Sequence, residues 1–363
     1  MNMDDDLNSL EQEIRKVDEQ LLADINRRYE LLQKYATPAS ENEAHEPYFT
    51  PAAQAALQKR ILQQNQGPAK NETIAAVFRE VISGAIRLTE PVTVAYLGPE
   101  NTFTHQATLA KFGHSVEQSP QKTIADVFDA VMRGNVTYGV VPVENSTEGA
   151  VTHTLDMFTD TSVSICAEVN INIHHNLLSN CDLDELTVVY SHPQVFAQCR
   201  RWLQENLHHA DLIEVASTVE ATERCKNEKN AGAIASKLAA ERHSLNISAT
   251  NIEDFSQNTT RFLVLGTQDS EPTGDDKTSM LFAVKDRVGA LYDSLLPFRH
   301  NGINLSMIES RPSRRRSWDY NFFIDFSGHF TEPYVREAIE ELKEQCQFTR
   351  ILGSYPRGAA PMS

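Results

Sequence analysis

The stretch YGVVPVENSTEGAV, Tyr138 to Val151, changes character in its middle. Val140, Val141 and Val143 read as a buried strand, and the apolar run stops at Glu144. Six polar or small residues, Asn145 to Ala150, follow before apolar spacing resumes. A core strand that ends in carboxylates, an amide and two hydroxyls is either a polar turn or a strand edge aimed at a charged ligand. Similar short apolar runs lie on both sides: VTVAYLG, LTVVYS, AGAIAS and RFLVLG alternate with amphipathic helical spacing, which is an α/β layout.

Several of these runs hand over to a helix at a hydroxyl. AYLGPENTFTH ends a strand at Gly98-Pro99, and Thr102 or Thr104 can cap the next helix. VVYSHPQVFAQ ends at Ser191, with Pro193 suited to the first helical turn, and GAIASKLAAE ends at Ser236. Helix N-termini carry free N–H groups and the positive end of the helix dipole, and strand carboxyl ends open on one crevice. Each junction alone is best read as capping. Together they would form a cradle for a small polyanion.

Upstream, Leu7, Leu10, Ile14, Val17, Leu21, Ile25 and Leu32 recur at helical spacing. TPASENEAHEPYFTP breaks the pattern as a loop, and helices resume over Ala52–Gln64 and Thr73–Leu88. Helices this long around a small core bury their stripes by pairing with a second chain. Downstream of the polar linker TQDSEPTGDDKTS, the order βαββαβ is a split ferredoxin-like unit.

Composition sets the limits. A chain of 363 residues predicts two or three domains, and 40% apolar with 23% charged residues is ordinary for a soluble protein. The net charge of −17 argues against nucleic acid and requires a locally prepared site for any anionic substrate. No apolar run reaches spanning length, and the acidic opening MNMDDDLNSLEQE is unlike a signal peptide, so a cytoplasmic protein with no membrane partner is expected. Five scattered cysteines suggest reduced thiols. His174-His175 and His208-His209 lack a metal-ligand pattern, so no metal is expected, and the absence of GxGxxG or a P-loop argues against a nucleotide cofactor. The basic loop RPSRRRS, Arg311 to Ser317, reads as a solvated turn.

Taken together, VAYLGPENTFTHQA, VVPVENSTEGAV, YSHPQVFAQCR and NTTRFLVLG resemble the prephenate dehydratase signature. GALYDSLLPFRHNGINLSMIESRPS resembles the phenylalanine-binding ACT domain that follows it, and the likeness runs from about Glu90 to Pro356. The resemblance implies an N-terminal all-α mutase-like part (1–90) and a two-lobed α/β, periplasmic-binding-protein-like dehydratase domain (91–268). A linker (269–276), an α+β ferredoxin-like ACT domain (277–356) and a tail (357–363) complete it. It further implies that prephenate loses water and carbon dioxide to give phenylpyruvate without any cofactor, and that phenylalanine inhibits in a homodimer or homotetramer.

By the same resemblance, Thr260 of the TRF motif is the hydroxyl closest to the chemistry, and Glu144, Glu148 and His105 are unranked candidates for a proton relay. Phe262 would supply an apolar wall. Thr102, Thr104, Asn145, Ser146, Thr147, Ser191, Ser236 and Arg261 would hold the carboxylates. Gly289, Ala290 and Leu291 would open an effector-binding helix, closed by Glu309, Ser310, Arg311 and Pro312. Asn101 replaces the family's usual glycine, and asparagine tolerates the left-handed turn.

The helical region raises a separate expectation. Laid on the mutase pattern without gaps, it keeps VDEQLL and Arg28, but expected charged or polar positions fall on Glu11, Ala39, Ala53, Gln54, Ala85 and Thr89. This reading makes the domain a degenerate mutase kept as a dimerising scaffold, with rescue by Lys34, Lys59 or Arg60 the alternative. A working bifunctional mutase–dehydratase and a non-catalytic amino-acid sensor are the competing functions.

Overall fold

A computed structural model describes residues 3–36, 49–89, 91–284, 287–313 and 320–359. The chain divides into two units, one of residues 1–92 with 112–117, the other of residues 93–111 with 118–363.

Among the described residues, the first unit carries three helices: α1 (Met3–Ala36), α2 (Pro51–Gln64) and α3 (Asn71–Thr89). Thr50 caps α2 by accepting from the Ala53 amide at 3.1 Å, and Pro51 stands at its first turn. Ile82, Ala85 and Ile86 of α3 are buried, and the Tyr29 hydroxyl of α1 donates to the Val81 carbonyl at 2.9 Å. The apolar stripe of α1 stays uncovered: Leu7, Leu10, Ile14, Val17 and Leu21 are each more than half exposed.

The second unit begins with β1 (Thr93–Leu97), α4 (Phe103–Phe112), β2 (Glu117–Gln121), α5 (Ile124–Met132), β3 (Tyr138–Asn145), β4 (Gly149–Ala150), α6 (Thr152–Asp160) and β5 (Ser164–Asn172). A second lobe holds β6 (Asn176–Ser179), β7 (Val188–Ser191), α7 (Pro193–Gln198), α8 (Arg200–Asn206), β8 (Asp211–Glu214), α9 (Thr218–Asn227), β9 (Ala231–Ala235), α10 (Lys237–His243) and β10 (Asn246–Ala249). The chain then returns through β11 (Thr259–Gly266) to the first lobe. The first sheet runs β2-β1-β3-β11-β5 with β4 beside β3, and the second runs β10-β6-β9-β7-β8.

The lobes are joined by two crossings, residues 173–175 and 250–258. The crossings bond to each other: Ile173 N–H donates to Asn258 at 2.7 Å and Ile252 N–H to His175 at 2.8 Å. Because β11 enters the first sheet between β3 and β5, its first residues stand where the two lobes meet.

The last module has the expected βαββαβ order: β12 (Asp276–Val284), α11 (Ala290–His300), β13 (Leu305–Pro312), β14 (Tyr320–Ser327), α12 (Pro333–Gln345) and β15 (Cys346–Pro356). Its antiparallel sheet runs β13-β14-β12-β15. Strand β12 takes in Asp276, which the sequence reading left in the linker. Val143, Leu155, Phe158 and Leu263 of the first lobe share one buried cluster with Leu281, Phe323 and Leu352 of this module. At Gly353 (φ +154°) an added Cβ would lie 2.2 Å from the Ile165 carbonyl oxygen, so only glycine lets β15 come this close to β5. Of the basic loop, residues 314–319 lie outside the described residues.

Candidate active site

The register of β3 against β11 builds the site. Thr260 stands opposite Asn145 and Arg261 opposite Glu144, and the ladder shifts after Arg261. Side chains alternate across a strand, so Thr260 and Asn145 share one face while Arg261 and Glu144 share the other.

On the first face the hydrogen-bond directions are determined. The backbone N–H groups of Thr147 (2.9 Å) and Glu148 (3.1 Å) donate to Asn145 Oδ1, the turn that ends the VENSTEG stretch. That leaves Asn145 Nδ2 to donate to Thr260 Oγ1 at 2.8 Å and to Asn258 Oδ1 at 2.8 Å. Thr260 is therefore the acceptor in its bond to Asn145, and its hydroxyl proton is directed elsewhere. Thr147 Oγ1 also donates to Asn258 Oδ1, at 3.4 Å. Ser146 staples the two strand ends: its N–H donates to Thr259 O at 2.9 Å, while its hydroxyl accepts from Thr259 N–H and donates to Gln257 O.

Glu148 carries the chain of bonds into the second lobe. Its carboxylate accepts from Gln198 Nε2 at 2.8 Å and from Gln194 Nε2. Gln198 Oε1 in turn meets Asn258 Nδ2 at 3.4 Å and His175 Nε2 at 2.7 Å. Asn145, Asn258, Gln198 and Glu148 thus tie Thr260 to helix α7. Neither Gln198, Gln194, Asn258 nor His175 was selected from the sequence. Gln198 lies inside the quoted YSHPQVFAQCR, but the hydroxyl-at-the-junction argument favoured Ser191.

The other expected residues are placed as follows. Ser191 is fully buried and donates to the Ile234 carbonyl at 2.9 Å, within the second sheet. Ser236 caps α10, accepting from Ala239 N–H at 3.3 Å, and donates to Asn101 O at 3.4 Å across the lobes. Thr102 caps α4 by accepting from His105 N–H at 3.3 Å, and the Thr104 side chain is buried. Asn101 adopts φ +69°, the conformation expected where the family has glycine. His105 accepts from Asn101 N–H on Nδ1 at 2.9 Å, so its Nε2 donates to Gln118 at 2.7 Å, and the ring stacks on Tyr96. None of these bonds links His105 to Thr260. Phe262 is buried on the same face as Thr260.

The opposite face holds Arg261, expected to clamp a substrate carboxylate, in a buried ionic cluster instead. Its guanidinium meets Asp325 at 2.5 Å, Glu168 at 2.7 Å, the Tyr355 hydroxyl at 2.9 Å and Glu144 at 3.7 Å. Lys277 Nζ lies 2.7 Å from the same Glu168 oxygen. Burial opposes the charge on Arg261, but the Asp325 and Glu168 carboxylates outweigh it and raise the guanidinium pKa well above its usual value. Burial likewise pushes the Tyr355 phenol well up, so it remains neutral.

In the last module, Gly289 (φ +79°) precedes α11 with no side-chain cap, and the Ala290 N–H donates to the Arg287 carbonyl at 3.2 Å. Glu309, Ser310, Arg311 and Pro312 end the edge strand β13. Arg311 is engaged with Asp156 of α6 through two bonds of 3.0 and 3.1 Å.

The chain thus combines a two-lobed α/β domain, with hydroxyl and amide side chains at its crossing, and a ferredoxin-like module. The family pattern for prephenate dehydratase matches residues 94–270, and that for chorismate mutase type II matches residues 10–90. The bifunctional chorismate mutase/prephenate dehydratase of Pseudomonas aeruginosa is 44% identical over 97% of this chain and 98% of its own. That of Aquifex aeolicus is 45% identical with the same coverage. The crystal structure of Arthrobacter aurescens prephenate dehydratase in complex with L-Phe superposes with a TM-score of 0.68 at 34% identity, covering 73% of this chain and 90% of that one. The chain belongs to the family of bifunctional chorismate mutase/prephenate dehydratases.

The comparisons correct the expectation of a silent helical scaffold. Both whole-length relatives carry the two activities in their names, and the mutase pattern spans the helical unit. The gap-free alignment ran through a loop whose residues 37–48, Ala39 included, lie outside the described residues. Within the helices, Arg28 holds its position, and its Nη1 and Nη2 are buried without a hydrogen-bond partner among the described residues. Lys34, Lys59 and Arg60 are exposed.

Proposed function

We propose that this chain is a bifunctional chorismate mutase/prephenate dehydratase of phenylalanine biosynthesis, inhibited by phenylalanine at its last module. The observation that carries the dehydratase chemistry is the bond from Asn145 Nδ2 to Thr260 Oγ1. With a lone pair of Thr260 engaged, its O–H points outward as a donor to the ring hydroxyl of prephenate.

The reaction balances simply. The bond from the ring to its carboxylate breaks and its electron pair enters the ring, while the carbon–oxygen bond of the ring hydroxyl breaks. The leaving oxygen takes one proton and departs as water, the carboxylate departs as carbon dioxide, and phenylpyruvate remains. Water leaves readily only if hydrogen-bonded or protonated in the transition state, which is the role of Thr260. A hydroxyl is a weak acid, so Thr260 acts as a hydrogen-bond donor and the proton that completes water comes from solvent. Glu148, an acceptor, anchors the amide chain behind Thr260, while Glu144 lies on the other face. Phe262 walls the departing carboxylate, where poor solvation favours the spreading of its charge.

The protein works as a homo-oligomer in the cytosol. The exposed stripe of α1 and the open edge of β13 support association, and five unpaired cysteines suit a reducing compartment. Half-buried Arg28, whose Nη1 and Nη2 are shielded without a hydrogen-bond partner among the described residues, supplies a cation for the dicarboxylate in the mutase unit. Purified protein given prephenate, then chorismate, with and without phenylalanine, tests the whole reading. Ligand binding without phenylpyruvate formation would instead indicate a sensor.

A further inference from the structure

We propose that His175 is a positioning residue for the dehydration, acting through Gln198 on the amide chain that holds Thr260. The proposal rests on the reading of that chain as the dehydration site.

The sequence places His174 and His175 side by side, and the structure gives them different tasks. His174 remains part-exposed and bonds Glu253 through Nδ1 at 2.8 Å. His175 is 1% exposed and fixed at the crossing between the lobes: its N–H donates to Glu253 at 2.9 Å, and its carbonyl accepts from Ile252. Its ring meets the edge of Phe103, with centroids 5.8 Å apart.

The direction of the bond to Gln198 follows from its neighbours. Glu148 can only accept, so Gln198 turns Nε2 toward it and leaves Oε1 for His175 and Asn258. The His175 ring must then carry its proton on Nε2 and donate. Its Nδ1 is buried without a hydrogen-bond partner among the described residues. Burial also holds the imidazole pKa below its ordinary value, against the opposing influence of Gln198 and Glu253, so the ring stays neutral at pH 7.

Without this donor, Gln198 Oε1 keeps only the 3.4 Å contact from Asn258. A carboxamide flips its oxygen and nitrogen at little steric expense, and the flipped form would set Gln198 Oε1 against the Glu148 carboxylate. The donor on His175 and the Glu148 carboxylate together select the orientation in which Glu148 is bridged and Asn258 is held against Asn145.

The test uses the full-length protein and prephenate turnover. In His175→Gln the amide nitrogen reaches about where Nε2 lies, whereas in His175→Asn it reaches only the Nδ1 position. Gln should retain kcat within about threefold, and Asn should lose about 10–100-fold in kcat with a smaller change in KM, the loss expected from a misplaced group. If His175→Asn does not fold, His175→Phe, which keeps a ring and removes the donor, should show the same loss. In a Gln198→Ala background the change at His175 should have no further effect. Equal activity of the Gln and Asn variants, or an undiminished effect without Gln198, would overturn the proposal. Wild-type protein inert on prephenate, or Thr260→Ala as fast as wild type, would instead overturn the reading of the site itself.

Discussion

Thr260 and Arg261 are consecutive in β11 and face opposite sides of the first sheet. The Thr260 hydroxyl meets Asn145 at 2.8 Å, while the Arg261 guanidinium meets Asp325 of the ferredoxin-like module at 2.5 Å. One step along a strand therefore separates the hydroxyl proposed to act on prephenate from an ionic anchor of the ferredoxin-like module. If phenylalanine acts on turnover through that module, the Arg261–Thr260 peptide is a direct covalent path between the two.

Removing the donor should stop the chemistry and spare the fold. Thr260→Ala is expected to lose about 10²–10³-fold in kcat, the usual effect of deleting one transition-state donor. Thr260→Ser should retain most of the rate. Steady-state formation of phenylpyruvate, with melting curves as the control, reads both.

Reversing one bond should be as damaging as deleting it. In Asn145→Asp the oxygen facing Thr260 accepts, so Thr260 must turn its proton inward and away from the leaving hydroxyl. We expect about 10²-fold slower dehydration with near-native size and shape. An Asp variant as active as wild type would contradict the donor direction assigned here.

The effector route can be weakened without touching the site. Tyr355→Phe removes the 2.9 Å bond from Arg261 and the 2.6 Å bond with Ser279. Basal kcat should stay within about twofold, while the half-inhibiting phenylalanine concentration rises about fivefold or more, the lower range of typical coupling. Inhibition curves at fixed prephenate measure it.

Acid should release the buried cluster. Burial raises the Glu168 pKa, but Arg261 and Lys277 outweigh it and hold the carboxyl below its ordinary value. A depressed pKa contributes stability that is present above the unfolded value, about 4.3, and is lost as pH falls through the folded value. Denaturation midpoints should therefore be flat near neutrality and fall below about pH 4. Glu168→Gln should flatten that acid limb while lowering stability near pH 7 by about 3–5 kcal/mol, because Arg261 and Lys277 lose a buried counter-charge.

The mutase unit offers a separable prediction. Arg28→Ala should remove a charged contact with the chorismate carboxylates and reduce chorismate turnover by about 2–5 kcal/mol in activation terms. Prephenate dehydration should be unchanged. The two assays run on the same preparation.

The layout of strands, helices and the βαββαβ module was legible because apolar periodicity and polar junctions report secondary structure directly. Asn145, Glu148 and Thr260 were expected from motifs, and the structure joins them in one hydrogen-bonded chain through Asn258 and Gln198. Arg261 follows Thr260 directly, and adjacent strand residues face opposite sides, so its guanidinium enters the ionic cluster instead of the face that carries Thr260. Ser191 shows the opposite limit, since its hydroxyl sits at a strand end but bonds to Ile234. Gln198, Asn258 and His175 converge from a helix and two crossings far apart in the chain, and no local pattern announces that meeting. The expectation of a silent mutase rested on single positions such as Glu11 and Ala39, whereas the family pattern spans the whole helical unit, residues 10–90.

Gly353 has a mechanical consequence. A joint with no room for a single methyl group at Ile165 makes position 353 a wedge point. Any side chain there would prise β15 away from β5 and part the regulatory module from the lobe it abuts.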